Sequence, residues 1–158
     1  MRRTDHPIYV GKANPANVYA TTARNQGQTL WKRLVQDHLR SITQADNLNV
    51  DDFDCRHLVV RSAWQATAED YLIDRFKPIW NNQAKVCFGF GKHGDNAATR
   101  RNTVSPWDTL HPGRPWATGG RNRPNPKTPA DIERDIAEHF RENSPFVKVD
   151  TGISPDAE

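Results

Sequence analysis

The sequence predicts an α/β domain. Three amphipathic helical stretches, at 29–42, 65–77 and 129–141, accompany two short runs of strand-forming residues, at 7–10 and 57–60. A chain of 158 residues is one domain by length, and 35% hydrophobic content with a mean hydropathy of −0.85 gives it a modest core. Five Trp and six Phe help to fill that core.

Residues 1–5 are polar and read as a loose end. Pro7-Ile8-Tyr9-Val10 reads as a first short strand, ending at Gly11. Lys12 follows directly, and Asn14-Pro15 marks a turn. The polar stretch 16–28 reads as a loop. The helix at 29–42 takes Thr29 as its cap and Leu30, Leu34, Leu39 and Ile42 as a partial apolar face. It also carries Arg33, Asp37, His38 and Arg40. Arg33 and Asp37, four apart, suit a solvated ion pair, and His38 taken alone suits an ordinary half-buried histidine. After a polar turn at 46–52, His57-Leu58-Val59-Val60 reads as the second strand, because β-branched side chains favour a pleated surface.

The chain is organised around the helix at 65–77. Ser62 and Gln65, three apart, suit a capping box at its start. Leu72, Ile73 and Phe76 fall on one face, and Glu69 lies on that same face. A carboxylate on the apolar side of a helix is costly unless a cation sits opposite it. A divalent metal ion meets that need, and so does an arginine. The helix stops at Pro78, and Asn81, twelve residues after Glu69, is placed to fold back onto its carboxylate.

The glycine-rich run at 88–94 lacks the spacing of a phosphate loop and reads as a flexible connection. Between 97 and 127, Arg100, Arg101, Arg114, Arg121, Arg123 and Lys127 face Asp108 alone, a net charge of +5 in a Gly/Pro-rich stretch. Such a patch favours a polyanionic partner. Arginines interleaved with Trp107 and Trp116 suit a surface that grips phosphates. They suit equally an irregular segment pinned to the core by its tryptophans, with its arginines in solvent. Thr128-Pro129 is a strong helix start, and Ile132, Ile136 and Phe140 mark the buried stripe that follows. Residues 143–158 read as a frayed tail. The resulting division is a core at 6–96, a basic extension with a terminal helix at 97–141 and a tail at 142–158.

Cys55 and Cys87 have neither the spacing of a metal framework nor that of a secreted disulfide scaffold. There is no signal peptide, long apolar run or lipidation motif, so a cytoplasmic protein with no membrane attachment is expected.

Tyr9-Val10-Gly11 with Lys12, Arg33 and His38 on one helix, Glu69 on the next, and Lys77-Pro78-Ile79-Trp80-Asn81 form an ordered set. In order and spacing this set resembles the GIY-YIG nuclease superfamily, most closely its type II restriction endonuclease branch. His111-Pro112-Gly113-Arg114-Pro115-Trp116 is similar to the C-terminal part of that branch. The resemblance spans roughly residues 6 to 141. It implies a small β-sheet flanked by helices and hydrolysis of a DNA phosphodiester with one divalent metal, usually Mg2+. It implies a metal-binding role for Glu69 and a place for Tyr9 near the attacking water and the phosphate. Arg33 then stabilises phosphate charge, His38 stands near the nucleophile and Asn81 positions the metal site.

Two departures shape the expectations. Only eight residues precede Tyr9 and none is Gly or Tyr, so the family's first strand and its tyrosine are expected to be absent, leaving an open sheet edge. Arg33 and His38 are five apart where four is expected. Five positions on an α-helix differ by about 140° and four by about 40°. A π-bulge between them restores a common face; alternatively the arginine role passes to Arg40. The leading expectation is a restriction-type endonuclease acting on double-stranded DNA as a homodimer, with Lys12, Arg100, Arg101, Arg114, Arg121 and Arg123 contacting the nucleic acid. The alternatives are a catalytically incomplete DNA-binding fragment and a GIY-YIG nuclease of DNA repair or mobility.

Overall fold

The computed structural model describes residues 6–81, 86–91, 103–118 and 122–143. Helix α1 (Ala23–Gln26) is capped by Thr22. Helix α2 runs without a break over 29–43, as an α-turn (Thr29–Trp31), a π-helix (Lys32–Leu39) and a final α-turn (Arg40–Thr43). Short 3₁₀ turns at Val50–Asp52 and Ser62–Trp64 lead to α3 (Gln65–Phe76). Helices α4 (Pro106–Leu110), α5 (Pro115–Thr118) and α6 (Pro129–Glu142) follow.

The expected β-sheet is not formed. Among the described residues the chain is helices and irregular segments, with only an isolated parallel bridge between Thr103 and Arg123. Residues 7–10 form no strand: the chain bends at Ile8, and backbone groups of Ile8 and Val10 are taken by the 80–81 segment. Trp80 N–H donates to Ile8 O (3.0 Å), Val10 N–H donates to Asn81 Oδ1 (2.8 Å), and Asn81 Nδ2 donates to Val10 O (2.7 Å). One side-chain amide thus supplies what a neighbouring strand would. Residues 57–59 face solvent, with Leu58 68% and Val59 85% exposed. Strand propensity alone makes no ladder where no second strand lies alongside.

The helix starts differ from expectation for local reasons. Gln28, not Thr29, precedes α2, and it makes no capping bond. At α3 Trp64, not Ser62, holds the cap position and makes no side-chain cap bond, and Gln65 Nε2 donates to Ala13 O (3.3 Å). At α6 the capping box is complete. Thr128 N–H donates to Asp131 Oδ2 (3.1 Å) and Asp131 N–H to Thr128 Oγ1 (3.2 Å).

The core gathers Ile42, Ile79, Trp80, Cys87, Phe90, Trp107 and Ile132, with Ile8, Tyr9, Ile136 and Phe140 packed at its edge. Trp107 is its centre, 4.9 Å from the Trp80 ring and 4.7 Å from Phe90. Helix α3 ends where Lys77 turns left-handed (φ 44°) ahead of Pro78. His139 of α6 docks there, its Nε2–H donating to Lys77 O (2.7 Å). Among the described residues no helix is long and apolar enough to cross a membrane.

Candidate functional site

The site is built on residues 9–12. In an α-helix Arg33 and His38 would diverge, but the i→i+5 register of a π-helix sets residues five apart near one face. The π-helix Lys32–Leu39 encloses both, and both reach Tyr9. Rather than pairing in solvent with Asp37, Arg33 donates from Nη2 to Tyr9 Oη (2.6 Å). The His38 ring lies 4.9 Å from the Tyr9 ring. Gly11 makes room for this: a Cβ there would stand 2.8 Å from Tyr9 Cε1 and 2.9 Å from its hydroxyl.

His38 is buried, and its other face stacks on Phe90 at 4.8 Å with the rings within 5° of parallel. Burial pushes its pKa down to about 4; the Arg33 charge adds to the fall and Asp37 opposes it. The imidazole is therefore neutral at pH 7. Its Nδ1 is buried and has no hydrogen-bond partner among the described residues, and the same holds for Arg33 Nε. Both atoms are of the kind that a substrate or ordered water would satisfy.

Glu69 is partly buried on α3, and its protein partner is Lys12 rather than an arginine. Lys12 N–H donates to Oε1 (3.0 Å), and Lys12 Nζ pairs with Oε2 at 2.9 Å. The hydrogen bond and charge of Glu69 hold the Lys12 ammonium above the usual lysine range. Asn81 does not bond Glu69 as expected; it clamps Val10 and so fixes the backbone between Tyr9 and Gly11. Tyr9, Arg33, His38, Glu69, Asn81 and Lys12 thus converge on one four-residue segment.

Arg114 lies in the interior, not on a DNA-facing surface. It was expected to contact DNA, yet it is fully buried, and all five of its N–H donors point at protein acceptors. Nε and Nη2 bond the two Asp108 oxygens (2.6 and 2.8 Å). Nη2 also bonds Gly89 O (2.7 Å), and Nη1 bonds Ser41 Oγ (3.1 Å) and Gly91 O (3.4 Å). Trp107, by contrast, pins its segment as one expectation had it. Arg123 is exposed, and Arg100, Arg101 and Arg121 lie outside the described residues. Phe90 was missed, because glycines on both sides of it suggest a flexible connection. The signal was its aromatic ring between two glycines, which permits a ring to be held close to neighbouring backbone.

Among the described residues no group of three or more His, Cys, Asp or Glu side chains is gathered for a metal. The fit is to an ion that needs little from the protein. Magnesium keeps several waters and is often bound by one or two carboxylates together with substrate phosphate. Glu69, a hard oxygen donor with its side chain 18% exposed, fits that pattern.

A cationic arginine, a neutral imidazole, a phenol and a carboxylate–lysine pair gathered at residues 9–12 are groups suited to an anionic ester. A family model described as Eco29kI GIY-YIG domain matches residues 1–140. The chain belongs to this family, a GIY-YIG family of type II restriction endonucleases. The resemblance carried by Tyr9, Arg33, His38, Glu69 and Asn81 is thereby borne out at the level of the family. A search of curated proteins found no match.

Proposed function

We propose that this chain hydrolyses phosphodiester bonds of double-stranded DNA at a specific site, with a divalent metal ion, Mg2+ for preference, as part of restriction of foreign DNA. The observation that carries this reading is the convergence of Arg33, His38, Asn81 and Glu69 on residues 9–12. Arg33 balances charge on the phosphate oxygens. Tyr9, already accepting from Arg33, keeps its O–H to donate to the phosphate or the attacking water. His38, neutral and with an Nδ1 that has no partner among the described residues, takes a proton from that water. Glu69 holds the metal, which when bound supplies positive charge to the phosphate and eases deprotonation of water. Lys12 stands at Glu69 to meet the DNA backbone. Asn81 holds Tyr9 in place through Val10.

Arg123 contributes to DNA contact from an exposed position, with Arg100, Arg101 and Arg121 proposed from their charge alone. A homodimer in the cytoplasm completes the reading, since two-fold sites are read by two-fold proteins.

The test is Glu69→Ala. Magnesium-dependent cleavage of plasmid DNA is expected to fall at least ~10²-fold, while a gel-shift assay shows DNA still bound. Undiminished cleavage by that variant would overturn the site.

A further inference from the structure

His38 sits between two elements that one guanidinium holds. On one side is its own helix, where Ser41, three residues on, accepts from Arg114 Nη1 (3.1 Å). On the other is the Phe90 ring, stacked on the imidazole, and the carbonyls of Gly89 and Gly91 that flank Phe90 both accept from Arg114. Asp108 anchors the guanidinium from behind with two further bonds, and Ser105 Oγ donates in turn to Asp108 Oδ2 (2.6 Å). Gly89 carries a positive φ of 102°, and a Cβ there would lie 2.2 Å from Ser105 Oγ. The loop bearing Phe90 is therefore pressed against α4 with no slack.

We infer that Arg114 is a positioning residue for His38: it ties the helix that carries the imidazole to the ring stacked upon it, and so sets where the imidazole can point. A planar fork does this in a way that a lysine ammonium cannot. Its donors leave in fixed directions and span acceptors on α2, on 89–91 and on α4 at once. The inference rests on the proposed role of His38 for its catalytic consequence, but the positioning itself is read without cleavage. Besides its own neighbours Arg33 and Asp37 on α2, the imidazole faces Tyr9 from the 9–12 segment and the uncharged Phe90 from the loop.

The experiment uses the full chain with Arg114→Lys, Phe90→Leu and Ser41→Ala, each checked for its melting transition. Histidine NMR then follows the His38 imidazole through a pH titration. In Arg114→Lys and Phe90→Leu the midpoint should rise by at least one pH unit from about 4 toward the ordinary 6.5. Ser41→Ala should move it in the same direction by less. In cleavage assays kcat should fall about tenfold with KM for DNA within twofold, since Arg114 is buried away from the substrate. If Arg114→Lys does not fold, Phe90→Leu and Ser41→Ala decide. An unmoved His38 titration in the folded variants overturns the positioning role. A moved titration with His38→Ala still cutting at the wild-type rate upholds the positioning and defeats the catalytic reading of His38 instead.

Discussion

Replacing Arg114 by Met tests the buried pair on which the C-terminal half is folded. The Arg114 and Asp108 side chains are 0% and 1% exposed. Methionine keeps much of the side-chain length but removes the charge and all five donors. Asp108 is left as a buried carboxylate that accepts from Ser105, and Gly89 O loses its 2.7 Å bond. Breaking one partner of a buried ion pair costs about 3–5 kcal/mol, because the other charge is stranded. Against a total stability of about 5–15 kcal/mol that is a large fraction. For a chain of this size it lowers the melting temperature by roughly 6–20 °C. Urea melts of the wild type, Arg114→Met, Asp108→Leu and the double variant make the measurement. The double variant should cost less than the sum of the two by at least ~1 kcal/mol, since neither charge is then left alone. If Arg114→Met costs under ~0.5 kcal/mol, as a surface substitution would, and shows no coupling to Asp108, the guanidinium is in solvent and the network described above is wrong.

His38 makes stability depend on pH. The unfolded histidine takes its proton near 6.5 and the folded one near 4, so the unfolded state binds more protons between those values. Stability should be highest above pH 6.5 and fall by about 3 kcal/mol on the way to pH 4. His38→Gln should flatten that slope in denaturant melts, leaving the smaller same-direction slope from His6 and His111, whose burial also lowers them. Gly89→Ala should cost at least about 2 kcal/mol, because the added Cβ meets Ser105 Oγ at a positive φ; a neutral result in urea melts would contradict the packing of 89–91 on α4. Thr128→Ala should cost about 1 kcal/mol through the lost cap, and NMR should show Asp131 rising from about 2, where hydrogen bonds from Thr128 and Arg134 hold it. In-frame deletion of the exposed Gln36 should convert the π-helix to a regular α-helix with Arg33 and the histidine four apart; circular dichroism should retain the helix, whereas deletion of one residue within α3 should unfold the chain.

Helices were legible in this chain because their evidence is local. The 3, 4, 7 spacing of Leu72, Ile73 and Phe76 and the Thr128-Pro129 start depend on nothing outside the helix, and α3 and α6 lie where they point. Strands were not legible, because a strand is defined by what lies beside it. Val59 and Val60 have the side chains of a strand, and Val59 is 85% exposed. The backbone N–H and C=O of Val10 are paired, and their partner is a side chain. Propensity describes the first requirement of a sheet and says nothing of the second.

The site divides in the same way. The five-residue gap between Arg33 and His38 is a local count, and it pointed to the π-helix that brings both to Tyr9. Arg114 was misread because charge was averaged over a Gly/Pro-rich stretch, as if every cation in it shared one destination. The turn before it decides otherwise. Gly113 has φ 126°, and a Cβ there would meet Gln44 O at 2.2 Å, so that turn lies flat against the end of α2. Asp46 N–H donates to Pro112 O (2.7 Å) and locks it there. With its neighbour fixed to the core surface, Arg114 enters among Ser41, Asp108, Gly89 and Gly91, which together can use every donor it has. A cation goes inside when the interior holds a carboxylate and enough carbonyls to replace its water, and in this chain those acceptors come from three separate segments.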